Sequence, residues 1–190
     1  MKTIVTKQSR VKRQEQHDLY SKRIDAAKID KEEARSQGDL SENFGYDAAI
    51  KAIENYRRIQ AELGLEAPGV EVVDPAGWCD MEMDDEPRAR LGAKVTIERN
   101  GVPQTFLIGG AWDLDLNQEG VIPYTSPLAK AIIPKPVGFS TTFGTSGETI
   151  VVVASSTPTR EEILAVYGTP EKKKAAPAQT HDKAPDGPCM

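Results

Sequence analysis

Two carboxylates three residues apart, Asp39 and Glu42, follow Gly38 and open a helix-forming stretch. Residues three apart on a helix face roughly the same way, so the two acids converge on one region of space. A magnesium ion is often held by only one or two protein carboxylates, with waters and substrate phosphates completing its shell. Such a pair is half a metal site, useful where another molecule supplies the other half. The same residues also have a purely structural use. Asp39 as N-cap with Glu42 at the third helical position is a capping box in its aspartate form. Both acids also suit the positive end of the helix dipole. Spacing by itself leaves the two uses open.

Other constellations lack parts. His17 sits in a charged helical stretch and His181 near the end of the chain, so neither a His-based triad nor a His metal site assembles. Gly138, Gly144 and Gly147 match neither a dinucleotide fingerprint nor a phosphate loop and read as turns. Trp78 and Trp112 read as packing or turn residues. The acidic run Asp80 to Glu86 lacks the ligand spacing and central glycine of a calcium loop.

The acidic pair needs elements to position it. Residues 8–37 contain no Gly or Pro and are rich in good helix formers. Tyr20, Ile24, Ala27 and Ala34 fall on a coiled-coil spacing that Lys31 interrupts. Gly38 ends the run. Residues 41–63 form a second run, in which Tyr46, Ala49, Ile53, Tyr56 and Leu63 recur at three and four, with Gln60 at the missing step. Two amphipathic helices with so short a break must fold back to bury their stripes. The second would be roughly 35 Å long. The expectation is an antiparallel helical hairpin over residues 1–66 with Asp39 and Glu42 at its tip.

Residues 67–87 read as a linker carrying Pro68, Gly69, Pro75 and Gly77, with one short apolar piece at Val70, Val72 and Val73. From residue 88 to 168 the texture changes to strands. Ala93 to Glu98 alternates, Asn100-Gly101 signals a hairpin, and Gln104 to Ile108 is its partner. Val121-Ile122 and Thr149 to Ala154 are further strands. Ser126 to Ile133 reads as a short helix capped by Ser126, with Pro127 at its first position and Pro134 as its stop. Arg160 to Tyr167 forms a last helix. Residues 169–190 read as a disordered tail. The fold class expected is α+β: a helical hairpin plus a small antiparallel β domain with one short helix packed on it.

Net charge is −5, which argues against a whole-surface nucleic-acid binder. The charge is uneven: residues 1–63 hold 13 Lys/Arg and 11 Asp/Glu, and the remainder hold 11 and 18. No apolar run approaches a membrane span, and the N-terminus lacks a signal-peptide core. Cys79 and Cys189 form no CxxC pair, so no zinc ribbon or disulfide framework is indicated. A reducing cytoplasm is the simplest compartment.

The residues also resemble a known family. Gly38-Asp39-Leu40-Ser41-Glu42-Asn43 followed by Tyr46 is similar to the tip signature of the GreA/GreB transcript-cleavage factors, Gly-Asp-Leu-x-Glu-Asn-x-x-Tyr. Tyr124 to Ile133 resembles the family's second motif, with Ser126, Pro127 and Ala129 at matching positions. Thr145-Ser146-Gly147-Glu148 looks like its Gly-Glu turn. The resemblance covers about residues 10–66 and 88–156 in the right order.

That resemblance implies a coiled coil entering the secondary channel of bacterial RNA polymerase, and an FKBP-like C-terminal domain docking at the channel rim. It implies that Asp39 and Glu42 help hold a Mg2+ ion shared with the polymerase, so that the polymerase hydrolyses its own backtracked RNA. The protein would be an accessory factor rather than an enzyme, with no cofactor of its own. Its partners would be RNA polymerase and nascent RNA, and it would act as a monomer away from membranes. Leu40, Ser41, Asn43, Phe44 and Tyr46 would shape the tip. Arg57 and Arg58 would belong to a basic face, for which a merely solvated helix face is the alternative.

This chain departs from the pattern at Phe44-Gly45, at the longer acidic linker and after Ile133, as a divergent member would. The altered tip motivates a second reading, a channel binder that regulates without cleavage. A third, a prolyl isomerase, meets too few aromatics over residues 91–156: Phe106, Trp112, Tyr124, Phe139 and Phe143.

Overall fold

The long Gly- and Pro-free stretch folds as one helix, α1 (Lys7–Ser36), about 45 Å long at 1.5 Å per residue. Its partner is α2 (Phe44–Glu62). The computed structural model describes residues 2–36, 44–82, 85–145 and 147–168. The expected hairpin turn and the start of its second helix at residue 41 lie outside these, as does the expected tail. Contacts between the helices run in reverse order: Arg13 with Leu63, Ser21 with Gln60, Tyr20 with Tyr56, and Lys31 with Tyr46. The pair is therefore antiparallel. Ile24, Ala27 and Ile53 form its buried seam, with Tyr56 against them. Lys31, which breaks the seam pattern, places its ammonium 5.8 Å from the Tyr46 ring. Gln60 fills the missing apolar step by donating from Nε2 to the His17 carbonyl (3.0 Å) and to Ser21 Oγ (2.7 Å).

The second half is a five-stranded sheet in the order β5-β4-β3-β7-β6. Its strands are β3 (Lys94–Arg99), β4 (Val102–Gly109), β5 (Val121–Pro123), β6 (Ser140–Phe143) and β7 (Glu148–Ser156). Asn100 and Gly101, with φ of 50° and 82°, make the tight turn between β3 and β4. Alternation along the strands splits two cores. On one face, Val95, Ile97, Ile108, Ile150 and Val152 pack with Ile132 of α3 (Pro127–Ile132). On the other, Leu107 packs with Trp78, and with Ile163 and Tyr167 of α4 (Arg160–Tyr167). The architecture is α+β.

Two sequence expectations need correction. The sheet is mixed rather than wholly antiparallel, because β5 pairs parallel to β4. Residues 110–120 are long enough for the chain to cross over and re-enter in the same direction. The segment 67–87, expected as a linker with one short apolar piece, also holds regular structure. It carries β2 (Val70–Val73) and the 3-10 helix Pro75–Asp80, whose Trp78 is buried. The partner of β2 is β1 (Thr3–Thr6), paired in parallel from Thr3↔Val70 to Thr6↔Val73. That pairing spans nearly 70 residues, so no local spacing announces it.

Candidate functional site

Asp39, Leu40, Ser41, Glu42 and Asn43 lie outside the described residues; the helices that lead to and from them do not. Phe44, the first residue of α2, is 88% exposed. Tyr46, two residues on, is half-buried against α1 near Lys31. Arg57 and Arg58 both lie exposed on α2 but point differently. Arg57 shares an inter-helix groove with Lys28, Lys31, Glu32 and Glu54. Arg58 is turned along its own helix, donating to Asn55 Oδ1 (2.9 Å) and pairing with Glu62 (3.5 Å). The groove is mixed in charge: Lys28, Lys31 and Arg57 share it with Glu32 and Glu54, and Lys28 also pairs with Asp25 (2.8 Å). Among the described residues, no group of three or more His, Cys, Asp or Glu could hold a metal ion. No helix there is long and apolar enough to cross a membrane.

The second motif sits at the start of α3. Ser126 Oγ accepts from the Ala129 backbone N–H (3.1 Å), Pro127 occupies the first turn, and Ala129 is fully buried. Tyr124, just before it, reaches the start of the chain: its hydroxyl accepts from the Ile4 N–H (3.1 Å). Trp112 lies under Arg13, and Phe106, Tyr124, Phe139 and Phe143 pack against the sheet core.

At the base of the hairpin lies a cluster that the sequence did not announce. Thr6 ends β1 and caps α1, its hydroxyl accepting from the Ser9 N–H (3.3 Å). The same hydroxyl donates to Asp113 Oδ1. Asp113 is 1% exposed, and its other oxygen accepts from the Gly110 N–H (2.7 Å) and the Tyr167 hydroxyl (2.5 Å). Burial, then the charge of Asp113 and its hydrogen bond, hold the Tyr167 phenol well above its ordinary range. Seven residues further along α1, Arg13 donates from Nε to Asp115 (2.5 Å) and from Nη1 to the Leu63 carbonyl (2.6 Å). Its guanidinium lies 4.3 Å from the Trp112 ring centre. The paired glycines 109 and 110 were the available signal: a Cβ on Gly109 would meet Asp113 Oδ2 at 2.4 Å, and one on Gly110 would meet Thr6 N at 2.8 Å.

The molecule is therefore an α+β protein in which an antiparallel helical rod is fixed at its base to a small mixed sheet. Residues 3–63 match the family model described as the N-terminal part of the transcription elongation factors, and residues 84–157 match "Transcription elongation factor, GreA/GreB, C-term". The chain belongs to the GreA/GreB family of transcription elongation factors. It is 38% identical over 138 residues to transcription elongation factor GreA of Verminephrobacter eiseniae, covering 70% of this chain and 77% of that one. It is also 38% identical over 108 residues to GreA of Ralstonia nicotianae, covering 56% of this chain and 65% of that one. Among solved structures, the GreA factor homolog 1 (Gfh1) of Thermus thermophilus is 17% identical, with a TM-score of 0.34, and 82% of this chain and 99% of that one are covered. That superposition is too loose to assign a fold.

Proposed function

We propose that this chain enters RNA polymerase hairpin first, through the secondary channel, and presents Asp39 and Glu42 to the active site so that backtracked RNA is cleaved. One observation carries the reading. The base of the hairpin is tied to the sheet domain at Thr6 and Arg13, and from there the two helices run antiparallel along each other as far as the contact of Lys31 with Tyr46. A rod about 45 Å long is the kind of element that carries two side chains into a channel.

On this reading the chain is not itself an enzyme. Two carboxylates are the donor set a hard cation takes, and Mg2+ shared with the polymerase would supply an activated water and stabilise the leaving oxygen. The chain's own share is to hold two acceptors in register, with Leu40, Ser41, Asn43, Phe44 and Tyr46 shaping the tip around them. The expected basic face narrows to Arg57, which with Lys28 and Lys31 would meet RNA or polymerase across the inter-helix groove, while Arg58 is engaged by Asn55 and Glu62 on its own helix. The factor acts as a cytoplasmic monomer, with RNA polymerase and the nascent RNA of the elongation complex as its partners.

A halted, backtracked elongation complex should shorten its RNA when this protein and Mg2+ are added. Asp39→Asn with Glu42→Gln should slow that shortening at least about tenfold. Equal cleavage by the double variant would sink the reading. The exposure of Phe44, beside Gly45, favours one alternative: a channel binder that changes transcription without cleavage. Its signature is altered promoter transcription that survives the double carboxylate substitution, with no RNA shortening.

A further inference from the structure

We infer that Asp113 is a positioning residue: through Thr6 it fixes the direction in which the helical hairpin leaves the sheet domain. The effect on the acidic tip rests on the proposed cleavage function; the geometry at the base does not.

A buried carboxyl group destabilises a fold unless its oxygens are hydrogen-bonded, and an apolar side chain of similar size carries no such cost. Asp113 is 1% exposed, and its partners are two hydroxyls and a backbone amide. What such a group adds over an apolar filler is geometry, because a satisfied buried network rigidifies its surroundings and specifies one arrangement. Here the arrangement joins the first turn of α1 to the end of β4 and to α4. Thr6 is at once the last residue of β1, the cap of α1 and the donor to Asp113, so helix direction and attachment are set by one side chain.

A single attachment would leave a pivot. The second is Arg13 on Asp115, about 10 Å further along the axis of α1. Two fixed points on a rod define its direction. From Arg13 to Ser36 the helix extends about 35 Å, so a tilt of about 10° at the base would move the far end by about 6 Å. Side chains that complete a catalytic site need placement to about 0.5 Å. The base contacts therefore govern a displacement roughly ten times larger than the site tolerates.

The test uses the full chain with nitroxide labels on a non-cysteine handle at Ile29 of α1 and Val153 of β7, both exposed. Pulsed electron resonance should give one narrow distance distribution for the wild type. Thr6→Val removes the donor to Asp113 but leaves the carboxyl's bonds to Gly110 and Tyr167, and should broaden the distribution at least about twofold. Thr6→Ser restores the hydroxyl and should restore the narrow peak. In the cleavage assay Thr6→Val should raise the half-maximal factor concentration about threefold or more, with the saturated rate kept, because lost preorganisation appears in affinity.

An unchanged distance distribution in folded Thr6→Val overturns the inference. So does a fall in saturated rate at unchanged half-maximal concentration. Should Thr6→Val fail to fold, Arg13→Met carries the same distance test at the second attachment, with the same two outcomes. A wild type that cleaves nothing removes the functional reading, and the distance measurement still decides the inference.

Discussion

Glu162 occupies the third position of α4, where it closes a capping box with Thr159 and accepts from Lys94 of β3 (2.5 Å). The hydrogen bond from Lys94, and next the Thr159 backbone N–H, hold its carboxyl below the ordinary range against a smaller opposing effect of burial. A carboxylate whose folded pKa is depressed contributes stability that is present above its ordinary, unfolded pKa of 4.5 and is lost as pH falls through the lower folded value. Both partners are 40% exposed, so solvent screening limits the contribution to about 0.5 kcal/mol. Glu162→Gln should lower the thermal midpoint by about 1–2 °C at pH 7, and the gap should close below about pH 4. A gap that persists at pH 3 would mean that the carboxylate's charge is irrelevant. At this scale the sequence was legible in part. The helix start at Ser126 follows from local residue order, as does a last helix from Arg160; the capping box of Thr159 and Glu162 is added by the structure. The Asp113 network does not, because Thr6 and Tyr167 lie 107 and 54 residues away from it.

Elements were legible where their period is local. Over their described residues both long helices, with the Asn100-Gly101 hairpin and α3, stand where spacing placed them, because each is specified by residues a few positions apart. β1, β2 and the parallel placement of β5 were not, because a short strand is decided by a distant partner. The expected tip, residues 37–43, lies outside the described residues. The seam of the hairpin is thin: Ile24 and Ile53 are its large buried members, Ala27, Ala34 and Ala49 its small ones, and polar Gln60 and Lys31 stand at neighbouring steps. A seam with so few large apolar groups should be sensitive to loss of any one. Ile53→Ala is expected to cost about 2–4 kcal/mol in urea unfolding followed by helical circular dichroism. Leu19→Ala, at a site 47% exposed on α1, should change stability by no more than about 0.5 kcal/mol. If the two substitutions cost the same, the helices do not pack through this seam.

For the whole molecule, the consequence is that the hairpin and the sheet domain should unfold together. A two-helix hairpin with a thin seam has little stability of its own, since most helical stability in proteins comes from packing rather than propensity. The contacts that support it run through β1 and its neighbours. Ile4 is held by both backbone groups, its N–H on Tyr124 Oη and its carbonyl on the Ala111 N–H (2.8 Å), while Thr6 and Arg13 hold Asp113 and Asp115. Gly110 lies against this strand so closely that a Cβ there would meet Thr6 N at 2.8 Å and Val5 Cα at 3.1 Å. Both atoms are backbone, so neither moves aside as a flexible side chain would. Gly110→Ala should therefore act as a wedge between the hairpin's base and the sheet while leaving the sheet's two cores in place. In a Trp112→Phe background, which leaves Trp78, buried with α4 on one face of the sheet, as the fluorophore, helical circular dichroism and tryptophan fluorescence should melt in one coincident transition. In Gly110→Ala the helical signal should fall first, at a lower midpoint, with the tryptophan transition retained. Coincident melting in the variant at an unchanged midpoint would show that β1 is not what couples the two parts. A drop of both signals together would instead place Gly110 in the core of the sheet domain rather than at its junction with the hairpin.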